Sequence, residues 1–133
     1  MSPIEPPRRR ATPAEQSAVV TKGVVRAAER LELSNRVIAG VLGVSEATVS
    51  RMTAKKSPAA YQLDPESKPY ELAILFLHLY RSLYTLVDGD VAAARAWLRN
   101  DNTALGATPL SQIVTVAGLV NVVGYLDTRR THF

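Results

Sequence analysis

The residues best suited to chemistry stand together between positions 45 and 56. Ser45, Ala47, Thr48, Ser50 and Arg51 are small, hydroxylated or basic, and Lys55 and Lys56 follow closely. Ser and Thr hydroxyls reach phosphates or base edges, an Arg binds guanine O6 and N7 in a bidentate fork, and Lys pairs with phosphate. On one helix, such a set suits a major groove about 12 Å wide. A second basic cluster, Arg8, Arg9 and Arg10, follows Pro3, Pro6 and Pro7. Two readings stay open for it: an arm lying along a minor groove or phosphates, or a solubilising tail. Glu46 is the discordant charge; it reads as a first-turn helix acid, with acceptance from cytosine N4 as the other role.

That helix must be held by what precedes it. In the twenty residues starting at Asn35, apolar side chains fall at the fourth, eighth, tenth, fifteenth and eighteenth places: Ile38, Leu42, Val44, Val49 and Met52. The fifth place is Ala39 and the ninth is Gly43. Two short helices crossing at roughly 90–120° leave space only for a small side chain where they meet, hence Ala39. The tight turn needs a left-handed residue, hence Gly43. This spacing predicts a helix-turn-helix, with helices from Ser34-Asn35 to Leu42 and from Ser45-Glu46 to about Thr53. A helical hairpin without a nucleic-acid role has the same spacing but no reason for the exposed hydroxyls and Arg.

The pair needs a platform. Thr12-Pro13-Ala14-Glu15 has the order of a capping box, with Thr at the cap and Pro at the first helical position. A helix over 13–31 then places Val20, Val24, Ala27, Ala28 and Leu31 on one face. Residues 59–68 read as a linker. Beyond it, a long helix over 69–87 carries Leu72, Leu75, Phe76, Leu79, Leu83 and Leu86, and a shorter one capped by Asp90 runs to Leu98. Thr108-Pro109 repeats the cap-then-proline start. Gly118 and Gly124 predict a final helix pair over 109–117 and 119–127. Strand-like alternation is absent, and the reading is all-α.

Composition excludes several classes of function. The 133 residues have no Cys, which excludes disulfides, thiolate metal sites and cysteine catalysis and fits a reducing cytoplasm. The two His, His78 and His132, are too few for a metal cluster. Asp88, Asp90 and Asp101 fall at helix ends, where capping accounts for them, and no phosphate-binding glycine loop occurs. No enzyme, metal or cofactor is expected. The 14-residue apolar stretch from Ile113 to Leu126 is shorter than the roughly 20 residues of a membrane helix. Residues 1–60 carry a net +5 and residues 61–133 a net −1, so the first part is fitted to a polyanion and the second to something else.

The second part carries its own pattern. Ala94-Arg95-Ala96-Trp97-Leu98, then Leu105-Gly106 with Thr108-Pro109-Leu110, then Gly118 and Val122 through Tyr125-Leu126, resembles the toxin-binding domain of the Xre/MbcA/ParS antitoxins. In that family a Trp-Leu pair ends one helix, a Leu-Gly-(Gly)-x-Pro turn follows, and a Gly-containing helix pair closes the chain. An Xre-like helix-turn-helix precedes it, as here, and the resemblance spans roughly residues 17–127. Ala107 departs from it, standing where the family often has a second Gly.

The resemblance implies a bundle of Xre/Cro-like helix-turn-helix type followed by a small helical toxin-binding domain. It implies as partner a RES-domain toxin, similar to ADP-ribosyltransferases and consuming NAD. The antitoxin would cover the toxin's NAD site, and the complex would repress its own operon. The divisions expected are a basic arm over 1–12, a DNA-binding domain over 13–60 and a toxin-binding domain with a basic tail over 61–133. Operator DNA read by a homodimer is the expected nucleic-acid partner, and a stand-alone dimeric regulator is the alternative. The toxin-binding candidates are Trp97, Leu105, Gly106, Arg129 and Arg130. Trp97 is either a core filler or an exposed anchor, and Leu105-Gly106-Ala107 either a plain turn or a contact. Arg129 and Arg130 are either a frayed end or a basic plug for a site built around an anionic dinucleotide.

Overall fold

The computed structural model describes residues 10–54 and 61–131. Seven helices follow one another among these residues: α1 (Pro13–Arg30), α2 (Asn35–Leu42), α3 (Glu46–Thr53), α4 (Lys68–Leu86), α5 (Val91–Arg99), α6 (Pro109–Gln112) and α7 (Val116–Thr131). The all-α expectation holds: among the described residues the only β-type pairing is an isolated bridge between Asn102 and Ala107. None of the described helices is long and apolar enough to cross a membrane.

Short side chains start the helices. Thr12, Ser34, Ser45, Ser67, Asp90 and Thr108 each accept a hydrogen bond from the backbone N–H three residues on. Each such cap contributes about 1 kcal/mol. α2 ends at Gly43, whose φ of 68° is the left-handed turn the sequence required.

The long α4 is the centre of the molecule. It packs on α1 and α2 along one side and on α7 along another. Phe76, Leu79 and Leu83 are fully buried in it, as are Val24 and Leu31 of the α1 segment, Leu42 and Val49 of the helix pair, and Leu119 and Leu126 of α7. Leu72, Leu75 and Leu86, expected on the same stripe, are only partly buried, and Ala73 and Ser82 are buried instead. Ser82 lies on the side that α7 covers, where its Oγ meets Asp127, and Ala73 lies about half a turn away from it around α4.

Polar contacts tie distant segments to this core. Ser17 Oγ donates to the Leu63 carbonyl, and Thr21 Oγ1 accepts from the Leu63 N–H at 3.1 Å, so α1 holds both backbone groups of a buried residue inside the 59–68 stretch expected to be a linker. Arg95 Nε donates to the Arg30 carbonyl at 2.7 Å, and Arg99 Nη2 donates to the carbonyls of Leu31 and Glu32 at 3.0 and 2.9 Å. Two guanidiniums one turn apart on α5 thus cap the negative end of α1. His78 Nε2 lies 2.9 Å from Asp127 Oδ1, to which Ser82 Oγ donates at 3.2 Å, linking α4 with α7.

The end of the chain differs from the expected pair over 109–117 and 119–127. The break falls at 113–115, and α7 runs unbroken through Gly118 and Gly124 to Thr131. Thr115 starts it: its Oγ1 accepts from the Gly118 N–H at 3.0 Å and its carbonyl from Leu119 N–H at 2.9 Å. Gly118 is therefore a close-approach glycine and not a helix break, since a Cβ there would lie 1.9 Å from the Gln112 carbonyl oxygen. With nothing after Leu126 to stop the helix, Arg129 and Arg130 lie inside α7 rather than in a tail beyond it.

Candidate functional site

α3 is seated from below by Val49 and Met52, both buried, against Ile38, Ala39 and Leu42 of α2. Its other side leaves Ser45, Ala47, Ser50 and Arg51 exposed and Thr48 half-buried. The structure brings these five predicted residues onto one surface. Ser45 Oγ caps the helix by accepting from Thr48 N–H at 3.1 Å and also lies 3.0 Å from Thr48 Oγ1. Arg51 Nη2 lies 3.4 Å from that same Oγ1. A polar ridge, Ser45–Thr48–Arg51, is thereby ordered along the exposed side before any ligand arrives. Glu46 stands in the first turn, where the helix dipole favours an acid.

Two further residues join this surface, and helical periodicity had no means of finding them. Asn35 Nδ2 lies 3.4 Å from Ser50 Oγ, bringing the start of α2 beside α3. Tyr61 places its ring 5.9 Å under the Arg51 guanidinium, a contact that limits the side chain's freedom. Of the predicted arm, Arg10 is described and exposed. Arg8, Arg9, Lys55 and Lys56 lie outside the described residues.

The second surface is built by α5, the loop after it, and α7. Trp97 is half-buried and stacks on Tyr125 with ring centroids 6.2 Å apart and 22° between planes. Arg129 sits over the other member of that pair, 5.9 Å from the Tyr125 centroid. Trp97 is thus neither a fully enclosed core residue nor a free anchor, but one end of a ladder running to Arg129. The side chain of Arg130 lies outside what is described.

Leu105 and Gly106 form a closed turn. Gly106 has φ 80°, and its N–H donates to the Asn102 carbonyl at 2.8 Å. Asn102 Oδ1 also accepts from Ala104 and Leu105 N–H, and Gln112 Nε2 donates to the Leu105 carbonyl at 2.7 Å. Ala107 in place of a second glycine is accommodated, its carbonyl accepting from Asn102 N–H at 3.2 Å. Leu105 is half-buried and Gly106 exposed beside it.

Next to that turn lies a feature with no counterpart among the sequence candidates. No Lys, Arg, Asp, Glu or His occurs from Asn102 to Leu126. The part of α7 that faces away from α4 carries Val116 and Val120, 59% and 51% exposed, with Val114 before them. Exposed Ala117 and Gly124 extend this uncharged strip. Thr115 and Asn121 are exposed among them, and apolar surface free of charge is suited to contact with another protein. The signal was present as the long uncharged run, but only the fold shows which valines point outward.

Chemically, then, one surface offers hydroxyls and a guanidinium, and the other offers valines and an aromatic–guanidinium ladder. Among the described residues no group of three or more His, Asp or Glu is placed to hold a metal ion. Comparison with known families separates the same two regions. A family model described as the antitoxin Xre-like helix-turn-helix domain matches residues 10–78. A second, described as the antitoxin Xre/MbcA/ParS C-terminal toxin-binding domain, matches residues 82–131. No curated protein matches the chain.

Proposed function

Because this chain belongs to the Xre-type antitoxins, with a helix-turn-helix domain and a toxin-binding domain in succession, we propose that it neutralises a RES-domain toxin and represses its own operon. In this reading α3 enters the major groove. Ser45, Ala47, Thr48, Ser50 and Arg51 face the bases and nearby phosphates, and Lys55, Lys56 and the Arg8–Arg10 arm add phosphate contacts. A homodimer places two such helices on half-sites about 34 Å apart, or a multiple of that. The DNA-binding and toxin-binding functions divide near residue 60.

The second region covers the toxin's NAD-consuming site. Trp97, Leu105, Gly106 and Arg129 then lie at or beside the contact, with Val116 and Val120 as its apolar centre, and Arg129 or Arg130 faces the anionic part of the site. The observation that carries this reading is the uncharged valine strip on α7. A desolvated interface core is depleted of charge in this way.

The test is cellular NAD after inducing the neighbouring open reading frame, with and without this protein. The expected result is a collapse of NAD that co-expression prevents, together with copurification of the two chains. An NAD level that never moves removes the RES assignment. Copurification without any NAD effect leaves an antitoxin of another toxin class, and no copurification leaves a stand-alone regulator. Truncation after Asp127 addresses the basic residues: unchanged neutralisation rules out Arg129 and Arg130 as the plug.

A further inference from the structure

A groove of about 370 Å³ opens between α1 and α4, away from both surfaces described above. Its apolar lining includes Val19, 71% exposed, and Leu77. Arg26 and Arg30 border it from α1 and Arg81 from α4, and no acidic residue lines it. Among the described residues none of these three guanidiniums forms an ion pair with a carboxylate. Tyr80 and Tyr84 complete the α4 side with ring centroids 6.0 Å apart. Arg30 Nη1 lies 3.4 Å from Tyr80 Oη, and that hydrogen bond, with the charge interaction beside it, holds the guanidinium above its ordinary pKa.

We propose that this groove docks an acidic segment of a partner protein that carries an aliphatic anchor. The combination decides the occupant. Tyr and Arg are the residues over-represented where protein contacts hold most of their energy, and three guanidiniums with no carboxylate partner among the described residues are complementary to carboxylates. A two-fold contact with its axis through the groove would set the same three cations against their equivalents, so the groove does not suit pairing with itself. DNA is also a poor occupant. No residue of α2 or α3 lines the groove. Arg26 is five positions from Thr21, which faces Leu63, and so points about 140° away around α1. An aliphatic floor offers nothing to a sugar–phosphate chain. The groove crosses from the first matched region into the second and does not depend on the identity of the toxin.

The probe is a short fluorescent peptide of alternating glutamate and leucine, followed by anisotropy with the full chain. Saturable binding is expected, weakened about tenfold or more by Arg26→Glu with Arg81→Glu and falling as salt rises. Val19→Asp, at an exposed position that leaves the core intact, is expected to weaken it comparably. Arg36→Glu, an exposed arginine on α2, is expected to leave it unchanged. No binding up to millimolar peptide overturns the proposal. So does equal loss with Arg36→Glu, or retention when serine replaces every leucine, since both would mean unspecific charge attraction. Displacement of the peptide by duplex DNA that itself depends on Arg26 and Arg81 would reassign the groove to phosphate and equally overturn it.

Discussion

α3 and α7 rest on one hydrophobic core and turn opposite chemistries outward. The exposed side of α3 is hydroxyl, methyl and guanidinium, with its polar groups already linked from Ser45 to Arg51. The exposed side of α7 up to Leu126 is valine, alanine and glycine with Asn121 among them, and the 25 residues from Asn102 to Leu126 hold no charge. A helix that meets a polyanion gains affinity from retained charge and donors. A helix that meets a protein gains it by shedding water from apolar surface. The two surfaces also differ in how they are held. α3 is positioned by its own cap and by a turn only a few residues away, whereas α7 depends on its start at Thr115 and on packing against α4.

The largest effect expected tests that second difference. Gly118→Ala puts a methyl group 1.9 Å from the Gln112 carbonyl oxygen, and the α6–α7 turn must open to admit it. The expected cost is about 3 kcal/mol, seen as a melting temperature lower by roughly 10 °C. Toxin binding should suffer more than operator binding, because α2 and α3 keep their own caps and turn. Equal loss of both would mean that the two surfaces are not separately supported.

Next in size is a charge placed on the apolar strip. Val116→Asp with Val120→Asp leaves the folded core intact, since both side chains are more than half exposed. In the complex it buries two carboxylates, with an expected loss of about 2–3 kcal/mol, roughly 30- to 150-fold in toxin affinity. Titration of the purified chains should show that loss while operator binding stays within twofold or so. A toxin affinity that does not change would move the contact off α7.

On the other surface, Arg51→Ala should cost about 1–3 kcal/mol against the operator and reduce discrimination between sequences. Competition with unrelated duplex separates this from a phosphate contact, whose loss weakens binding to all sequences alike. Tyr61→Ala, which removes the ring beneath the Arg51 guanidinium, should reproduce a smaller part of the same change. If Arg51→Ala leaves operator binding intact, α3 is not the recognition helix.

These contrasts also account for what could be read in advance. The helix-turn-helix was legible because its constraints are local: Ala39 at the crossing, Gly43 at positive φ and hydroxyls at the caps each follow from residues within one turn or two. The caps at Thr12 and Thr108 were legible for the same reason. The end of the chain was misread at Gly118, because a glycine inside a helix looks like a break until the Gln112 carbonyl beside it is known. Arg95 and Arg99 capping α1 from more than sixty residues away, and Asp127 meeting His78, leave no periodic trace. Trp97 was poised between two readings that its stack on Tyr125 combines.

The smallest effect separates two roles that meet in one side chain. Ser45 caps α3 through the Thr48 N–H, and the same hydroxyl lies on the surface assigned to DNA. Ser45→Ala removes both roles and should lower stability by about 1 kcal/mol while weakening operator binding. Ser45→Asp retains a capping oxygen and adds an anion at the positive end of the helix, so stability should hold or rise slightly. Beside the phosphates of a bound duplex that anion is repelled, and operator affinity should fall further than with alanine. Opposite signs in melting temperature and DNA affinity for Ser45→Asp would place the hydroxyl at the DNA surface. If the two move together through both variants, Ser45 is a cap alone, and the DNA-facing part of the ridge begins at Thr48.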